Sequence, residues 1–423
     1  MGTSSKNQIA KSADIGCDVV IVGCGVAGLY TALHLPSELD VVMLSKGPLE
    51  ECDSMLAQGG ICVLVDEGDY DDYLEDTLRA GHYENRRESV EVMIRASRHV
   101  IDELVSRGVD FARDEDGELD YTREGAHSRA RICYHADITG QEITEKLLSH
   151  VRALPNVKIH EHTTMIDLIE ESADGEQRHV AGILATSADG PRLAIHARAT
   201  VLATGGIGGL YEHSTNFPSL TGDGCRVAAE HGAELEHMDY VQIHPTSLYQ
   251  DKPGRSFLIS ESCRGEGAIL LDKDGRRFTD ELQPRDAVSA AIREQMERDG
   301  TDHVWLSFER MDRETILRHF PHIHETCLEA GFDMTREPIP VVPAQHYFMG
   351  GIHVDLDSAT TLPGLWAVGE TSCNGVHGKN RLASNSLLES LVFAERAAYN
   401  IATGGHLAVD NSLPDRPAST ARA

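Results

Sequence analysis

The chain has 423 residues, of which 41% are hydrophobic and 25% are charged, a composition typical of a folded protein with two or three domains. Its formal net charge of −30 argues against nucleic acid as a partner, because phosphate contacts require a basic face. The charge fits either an ordinary acidic protein or a halophile-type surface, whose carboxylates keep the chain hydrated in concentrated salt.

The N-terminal segment, residues 1–16, is polar and lacks the apolar stretch of a secretory signal. We therefore predict a disordered leader and a cytoplasmic location. No apolar run is long enough to cross a bilayer, so no membrane span is expected. The nine cysteines are scattered singly, without CxxC pairs or metal-ligand spacing, which indicates reduced thiols and no metal site.

A nucleotide-binding fingerprint follows the leader. An apolar run over residues 18–22 predicts a strand, and a helical pattern extends to residue 35. Between them, Gly23 permits a tight turn, Gly25 lets the backbone approach a pyrophosphate, and Gly28 lets the helix pack against the strand. The flanking strand and helix make this GxGxxG far more specific than an isolated motif.

A second strand is predicted over residues 40–45 and is followed by Lys46, where NAD-binding proteins usually carry an acidic ribose ligand. The missing acid weakens a plain NAD interpretation and places Lys46 near the adenosine end of the nucleotide. Residues 199–211 then form a strand that enters a glycine-rich turn, and residues 364–370 repeat the pattern and end in Glu370. A fingerprint with such distant elements is typical of flavoproteins of the two-dinucleotide-binding type.

The rest of the chain contains several side chains that can donate hydrogen bonds to an anionic substrate. The candidate donors are His244, Thr246, Ser260, Arg285, His346 and Arg381. Guanidinium groups bind carboxylates bidentately, and neutral histidines donate without much desolvation cost. This combination predicts a binding site for a substrate with two carboxylates.

The same segments resemble those of the L-aspartate oxidase family, within the succinate dehydrogenase/fumarate reductase flavoprotein superfamily. The resemblance extends from about Cys17 to Thr403. Its motifs are AQGG (57–60), REGAHS (123–128), TGDG (221–224), IHPT (243–246), RGEG (264–267), PRD (284–286), HYFMGG (346–351) and NRLASNSLLE (380–389).

By position, the fingerprint and the resemblance together imply a set of FAD contacts. These are Gly23, Cys24, Gly25, Val26, Ala27, Gly28, Lys46, Asp53, Ser54, Met55, Leu56, Ala57, Gln58, Gly59, Gly60, Asp223, Glu370, Ser386 and Leu387. A lysine after the second strand is the family's own pattern, which accounts for the missing acid.

The resemblance also implies roles at the substrate. The substrate carboxylates would be held by His244, His346, Arg381 and Ser260, with Thr246 and Gln242 beside them. Arg285 matches the family's catalytic arginine, and Glu124 matches the acid that binds the substrate's α-ammonium. Since arginine has a pKa of about 12 or more, we interpret Arg285 first as an electrostatic clamp, and proton transfer by Arg285 stays open.

The implied reaction is oxidation of L-aspartate to iminoaspartate, the first step of de novo NAD biosynthesis, with hydride moving from Cα to flavin N5. Oxygen, giving hydrogen peroxide, or fumarate would then accept the electrons. Quinolinate synthase is a possible partner that would receive the unstable product.

The main alternative is a fumarate reductase or succinate dehydrogenase-like flavoprotein that acts on dicarboxylates. Respiratory members bind FAD covalently through a histidine four residues before the alanine of AQGG, where this chain has Asp53, so we expect non-covalent FAD. Glu124 also favours an aminated substrate. A non-enzymatic flavin-binding protein is a second alternative, because relatives carry about a hundred further C-terminal residues.

The predicted fold class is α/β, with a doubly wound, Rossmann-like FAD-binding domain and an inserted α+β capping domain. The FAD-binding domain comprises residues 17–238 and 340–403, the capping domain comprises residues 239–339, and residues 404–423 form a disordered tail. The substrate would lie between the two domains, where pockets commonly form. Closure of the cap would exclude water.

Overall fold

The computed structural model describes residues 13–172, 178–187, 190, 192–251 and 255–405. Most of the predicted leader and tail, residues 1–12 and 406–423, therefore lies outside the described residues. The first strand begins at Ala13, so residues 13–16 belong to the fold and the predicted domain start at residue 17 is too late.

Ten α-helices occur within these ranges. They are α1 (Val26–His34), α2 (Tyr70–Ala80), α3 (Arg87–Ser106), α4 (Thr139–Arg152), α5 (Asp223–Glu230), α6 (Glu261–Gly265), α7 (Arg285–Asp299), α8 (Arg313–His319), α9 (Pro321–Glu329) and α10 (Asn385–Thr403).

Sixteen strands occur in the same described ranges. They are β1 (Ala13–Val22), β2 (Val41–Leu44), β3 (Ile61–Cys62), β4 (Ile132–Cys133), β5 (Val157–His160), β6 (Thr163–Glu171), β7 (His179–Ser187), β8 (Arg192–Leu202), β9 (Leu235–Glu236), β10 (Val241–Leu248), β11 (Ile269–Leu271), β12 (Val304–Ser307), β13 (Ile339–Phe348), β14 (Gly351–His353), β15 (Leu365–Ala367) and β16 (Ser372–Cys373).

The main sheet has the strand order β5-β2-β1-β8-β7-β6, with β15 also paired to β8. Strands β5, β2, β1, β8 and β15 are parallel, whereas β6 and β7 join antiparallel. Along β1, Val19 and Ile21 pack into one apolar cluster with α1 and α10, while Val20 and Val22 pack into a second cluster on the opposite face. A parallel sheet covered on both faces confirms the predicted doubly wound α/β fold.

A second sheet, with the order β10-β13-β12-β11, is entirely antiparallel. Its own apolar cluster includes Leu248 on β10, Val288 and Ile292 on α7, and Val341 on β13. We call the part of the chain around this sheet the cap. Strand β13 pairs with β10 as far as Phe348, so the cap sheet continues past the predicted boundary at residue 339.

Candidate functional site

One large cavity, of about 1770 Å³ including space open to solvent, is lined by loops of the main sheet and by the cap. Its lining is continuous from the turn between β1 and α1 to His244 and His346 of the cap sheet. The predicted site residues that line it are Gly23, Cys24, Gly25, Val26, Ala27, Lys46, Asp53, Ser54, Leu56, Ala57, Gln58, Gly59, Gly60, Glu124, Asp223, His244, Ser260, Arg285, His346, Glu370, Arg381, Ser386 and Leu387.

The glycine-rich end of the cavity is formed by the turn between β1 and α1. Gly23 has a φ of +116°, and a Cβ there would lie 2.0 Å from the carbonyl oxygen of Ala203 on the neighbouring strand's end. A Cβ on Gly28 would lie 2.1 Å from Gly23 O, so Gly28 serves helix–strand packing and does not line the cavity. The amino end of α1 faces the cavity, with the Val26 N–H donating to Ser54 Oγ at 3.1 Å. Such a helix end with a close backbone turn fits a pyrophosphate.

Met55 is the other predicted cofactor residue that the structure places outside the cavity. Residues 53–56 form a 3₁₀ turn, in which successive side chains point about 120° apart. Asp53, Ser54 and Leu56 face the cavity, so Met55 points away from it.

Lys46 lines the same end of the cavity, and its ammonium is hydrogen-bonded to other residues of the protein. Its ammonium donates to Asp223 Oδ2 at 2.6 Å and to Ser219 O at 2.8 Å. The pair brings together two predicted cofactor residues that are 177 positions apart, one after the end of β2 and one at the start of α5.

Two half-buried carboxyl groups, Asp53 and Glu370, face the middle of the cavity. Asp53 Oδ1 accepts a hydrogen bond from the Phe217 N–H at 3.0 Å, while its Oδ2 has no partner among the described residues. Glu370 accepts from the Phe348 N–H at 2.9 Å. Burial raises the pKa of both groups, and the nearby charge of Asp53 raises that of Glu370 further. An unsatisfied carboxyl oxygen beside a glycine-rich turn fits a cofactor that offers hydroxyl or ring N–H groups.

Two histidines face the opposite end of the cavity from adjacent strands of the cap sheet. His244 on β10 and His346 on β13 have ring centroids 5.1 Å apart. The pairing of these strands shifts register between His244 and Ser247, and such bulges re-aim side chains. Burial and the neighbouring Arg285 hold the pKa of both histidines well below the usual value, so both rings are neutral at neutral pH.

The backbone of Thr246 orients the His244 ring. His244 Nδ1 lies 3.1 Å from Thr246 O and 3.2 Å from the Thr246 N–H. His244 Nε2 is buried and has no partner among the described residues. His244 therefore presents an unsatisfied ring nitrogen to the cavity, which is a neutral donor in the tautomer that carries the proton on Nε2.

His346 is oriented in a similar way by a residue that the sequence analysis missed. Thr215 Oγ1 lies 2.7 Å from His346 Nδ1 and 3.3 Å from Gln345 O, and the Thr215 N–H also donates to Gln345 O. The hydroxyl therefore fixes the orientation of the ring and leaves Nε2 for the cavity. Thr215 lies in a loop that no sequence motif marked, so only the folded chain reveals it.

Two arginines complete the donor set. Arg285 opens α7, where its guanidinium donates to Glu261 and, at 2.9 Å, to Gln242 Oε1. Arg381 donates to Ser386 Oγ at 3.0 Å and lies 4.7 Å from the centroid of the Tyr347 ring, while its Nε has no partner among the described residues. Burial and the proximity of Arg285 lower the pKa of Arg381 from 12.5 to about 10.

Glu261 was missed by the sequence analysis, although it lies between Ser260 and the RGEG motif. Burial alone would raise its pKa, yet Arg285 and Arg264 together hold it below the usual value, so it is an anion. Glu266, the other acid of this segment, pairs with His319.

Gln242 and Thr246 support the site from behind and do not line the cavity, contrary to prediction. Gln242 Nε2 donates to Asn380 Oδ1 and to Arg381 O, both at 2.8 Å, while its oxygen holds Arg285. The Thr246 hydroxyl donates to Ile259 O at 3.0 Å. Regular alternation would place Gln242, His244 and Thr246 on one face of β10. The register shifts between Gln242 and Ile243 and between His244 and Ser247 break that alternation, so only His244 of the three lines the cavity.

Glu124 lies between the two ends of the cavity and is 3% exposed. Its two oxygens accept from Ser262 Oγ at 2.8 Å and from Ser384 Oγ at 2.6 Å. Its pKa is raised by burial and the charge of Glu261, although these two hydroxyls and Arg285 oppose the shift. Glu261 is paired with Arg285, so Glu124 is the carboxylate left for a ligand among several neutral or cationic donors, which suits a ligand with two carboxylates and one cationic group.

Within the described ranges, no helix is long and apolar enough to span a membrane, and no group of three or more metal-ligating side chains occurs. The nine cysteines, all of which the structure describes, are free thiols, as predicted.

Comparison with known proteins identifies the relatives of this chain. The FAD binding domain family matches residues 18–387. An L-aspartate oxidase of Clostridium perfringens is 48% identical over 385 residues, covering 91% of this chain and 86% of that protein. The L-aspartate oxidase of Pseudomonas aeruginosa is 41% identical over 400 residues, covering 91% of this chain and 74% of that protein.

Among solved structures, an E. coli quinol fumarate reductase is similar over the same region. The TM-score is 0.85 at 32% identity, covering 92% of this chain and 70% of that chain. The sequence relatives are thus oxidases of an amino acid, while this structural relative is a reductase.

Proposed function

The chain belongs to the L-aspartate oxidase family, FAD-dependent oxidoreductases of the succinate dehydrogenase/fumarate reductase flavoprotein superfamily, and from this we propose how its cavity performs the reaction. The enzyme binds FAD and oxidises L-aspartate to iminoaspartate. We assign FAD to the end with the β1–α1 turn and the substrate to the end with the two histidines. The observation that carries this assignment is a carboxylate, Glu124, held beside two neutral histidines and two arginines.

FAD is held by the part of the cavity that includes Lys46, Asp53 and Glu370. The amino end of α1 accommodates the pyrophosphate, since the backbone N–H groups of a helix's first turn and the helix dipole favour an anion there. When bound, FAD supplies the two-electron acceptor that the oxidation of the Cα–N bond requires. Asp53 occupies the position at which respiratory relatives carry a linking histidine, so the FAD is bound non-covalently.

The substrate's two carboxylates are clamped by donors that the protein has already oriented. Arg381 has an unpaired Nε, and His244 has an unpaired Nε2. With the proton on Nε2, His244 and His346 donate to the carboxylates together with Arg381, which strengthens binding because these donors have little solvation to lose. The Ser260 hydroxyl, which donates to Ser262 Oγ without a ligand, turns its proton to a carboxylate when the substrate binds. Orientation of both carboxylates fixes Cα for reaction.

Glu124 binds the substrate's α-ammonium and so distinguishes aspartate from succinate or fumarate. An ionised carboxylate attracts the ammonium of the substrate. Its repulsion of the two substrate carboxylates is offset by the charges of Arg285 and Arg381 and by hydrogen bonds from the histidines. Arg285, fixed by Glu261 and Gln242, stabilises negative charge that develops on the substrate carboxylates.

Oxygen, with hydrogen peroxide as product, or fumarate is the proposed electron acceptor. The proposed location is the cytoplasm, and quinolinate synthase is the proposed recipient of iminoaspartate in NAD biosynthesis. These three assignments rest on the family alone.

Anaerobic bleaching of the flavin tests the proposed function. The purified holoenzyme is titrated with L-aspartate and, separately, with succinate, and peroxide is assayed after air is admitted. Bleaching by aspartate but not by succinate, with peroxide on reoxidation, is expected. Bleaching by succinate alone would instead favour the dicarboxylate reductase alternative.

The variant Glu124→Gln tests the amine assignment. The change is isosteric and removes the charge, so kcat/KM for L-aspartate is expected to fall by about a hundredfold or more, the equivalent of losing a charge-assisted hydrogen bond. Succinate affinity, measured from the flavin absorbance, should change little. Equal losses for both ligands would mean that Glu124 does not bind the amine.

A further inference from the structure

The carboxylate of Glu124 accepts hydrogen bonds from two serines, one in the cap and one in the FAD-binding part of the chain. Ser262 is the second residue of the short cap helix α6, and Ser384 immediately precedes α10 of the FAD-binding part. Their hydroxyls take one oxygen each, at 2.8 Å and 2.6 Å. A third side is closed by Gly59, where a Cβ would lie 2.3 Å from Glu124 Oε1.

The proton positions in this group follow from the donors that are available. Ser262 Oγ lies 3.2 Å from Ser260 Oγ, which in turn accepts from the Ser262 N–H at 3.2 Å. A hydroxyl has one proton, and an ionised carboxylate only accepts. Ser260 therefore donates to Ser262, and Ser262 donates to Glu124. Each hydroxyl proton in this series of hydrogen bonds has an acceptor when Glu124 is ionised.

The surroundings make that ionisation costly. The charged or titratable groups that face Glu124 are Glu261, Arg264, Arg285, Arg381 and Cys62. Glu261 and burial favour the protonated acid, and the arginines are shared with Glu261, which already pairs with Arg285. The two serine hydroxyls are the groups that bond the carboxylate directly, so each has a large effect on whether it keeps its charge.

We propose that Ser262 is a positioning residue that determines specificity for aminated dicarboxylates, because its hydroxyl keeps Glu124 ionised and aimed at the substrate ammonium. The proposal rests on the proposed role of Glu124. The proposal adds a contribution from the cap, because Ser262 lies on the cap helix α6. The substrate amine is then recognised where the cap meets the FAD-binding part of the chain.

The test is the pH dependence of kcat/KM for L-aspartate in the Ser262→Ala holoenzyme. Hydrogen bonds to an ionised group lower its pKa, so removing one raises it, and the acidic limb should move upward by about one to two pH units. Succinate has no amine, so its Kd, read from the flavin absorbance at neutral pH, should stay as in the wild type. Ser262→Thr keeps a hydroxyl and should restore the wild-type profile.

Ser289→Ala is the matched control. Ser289 is also a buried cap serine, but its hydroxyl donates to Ile243 O at 3.2 Å and not to Glu124. FAD content and melting temperature are measured for every variant, so that a folding defect is seen separately. An unshifted acidic limb in Ser262→Ala, or an equal shift in Ser289→Ala, would overturn the proposal.

Failure of the inference and failure of the proposed function have different signatures. If Glu124→Gln destroys the preference for aspartate over succinate while Ser262→Ala leaves the pH profile unchanged, the role of Ser262 is wrong and that of Glu124 stands. If Glu124→Gln leaves the preference unchanged, both are wrong.

Discussion

Two buried arginines of this protein should respond to the same substitution with opposite changes in stability. Arg381 is 4% exposed and its guanidinium hydrogen-bonds only Ser386 Oγ among the described residues, whereas Arg131 is 0% exposed and pairs with Asp69 at 2.9 Å and Asp76 at 2.7 Å. Arg381 is therefore a buried cation whose charge a ligand would neutralise, whereas the charge of Arg131 is neutralised by two carboxylates of the protein.

The magnitude for Arg381 follows from its pKa. A fall from 12.5 to about 10 means that the folded protein holds the charged form at a cost of about 3 kcal/mol, at 1.36 kcal/mol per unit. Arg381→Met removes this cost but also the contact with the Tyr347 ring, worth roughly 0.5–2 kcal/mol. The ligand-free holoenzyme is therefore expected to gain about 1–2 kcal/mol. Arg131→Met removes the guanidinium that pairs with two buried carboxylates, Asp69 and Asp76, and should lower the free energy of unfolding by about 3–5 kcal/mol.

Urea unfolding of the holoenzyme, at saturating FAD with and without succinate, measures both effects. Succinate at a hundred times its Kd should stabilise the wild type by about 2.7 kcal/mol and should not stabilise Arg381→Met. The reasoning is refuted if Arg381→Met is destabilised as much as Arg131→Met. It is also refuted if succinate still protects Arg381→Met as it protects the wild type.

Two further outcomes are expected. The His346→Ala variant should keep its FAD but bind succinate about tenfold to a hundredfold more weakly, because it loses a neutral hydrogen-bond donor to a charged ligand. Loss of flavin, with unchanged succinate affinity in the remaining holoenzyme, would contradict this. Because Asp53 replaces the linking histidine, acid precipitation should release all flavin into the supernatant, and flavin that stays with the precipitate would show a covalent bond.

The local pattern of the sequence was sufficient for the fold and the family. The turn at Gly23 requires a positive φ and a backbone without a Cβ beside Ala203, and such a requirement restricts the residue type at one position and its immediate neighbours. The same holds for the apolar strands and for the donors at His244 and Arg381. These features are read within a few residues, so the sequence alone predicted a doubly wound FAD-binding fold and a dicarboxylate site.

The tertiary structure decided which of those side chains face the ligand and what holds them. Thr246 points behind the site, Thr215 orients the ring of His346, and Glu261 rather than Glu266 pairs with Arg285. The serines that hold Glu124 are 138 and 260 positions away from it. Contacts over such separations depend on how the cap sheet packs against the main sheet, and no periodicity or motif along the chain records that packing.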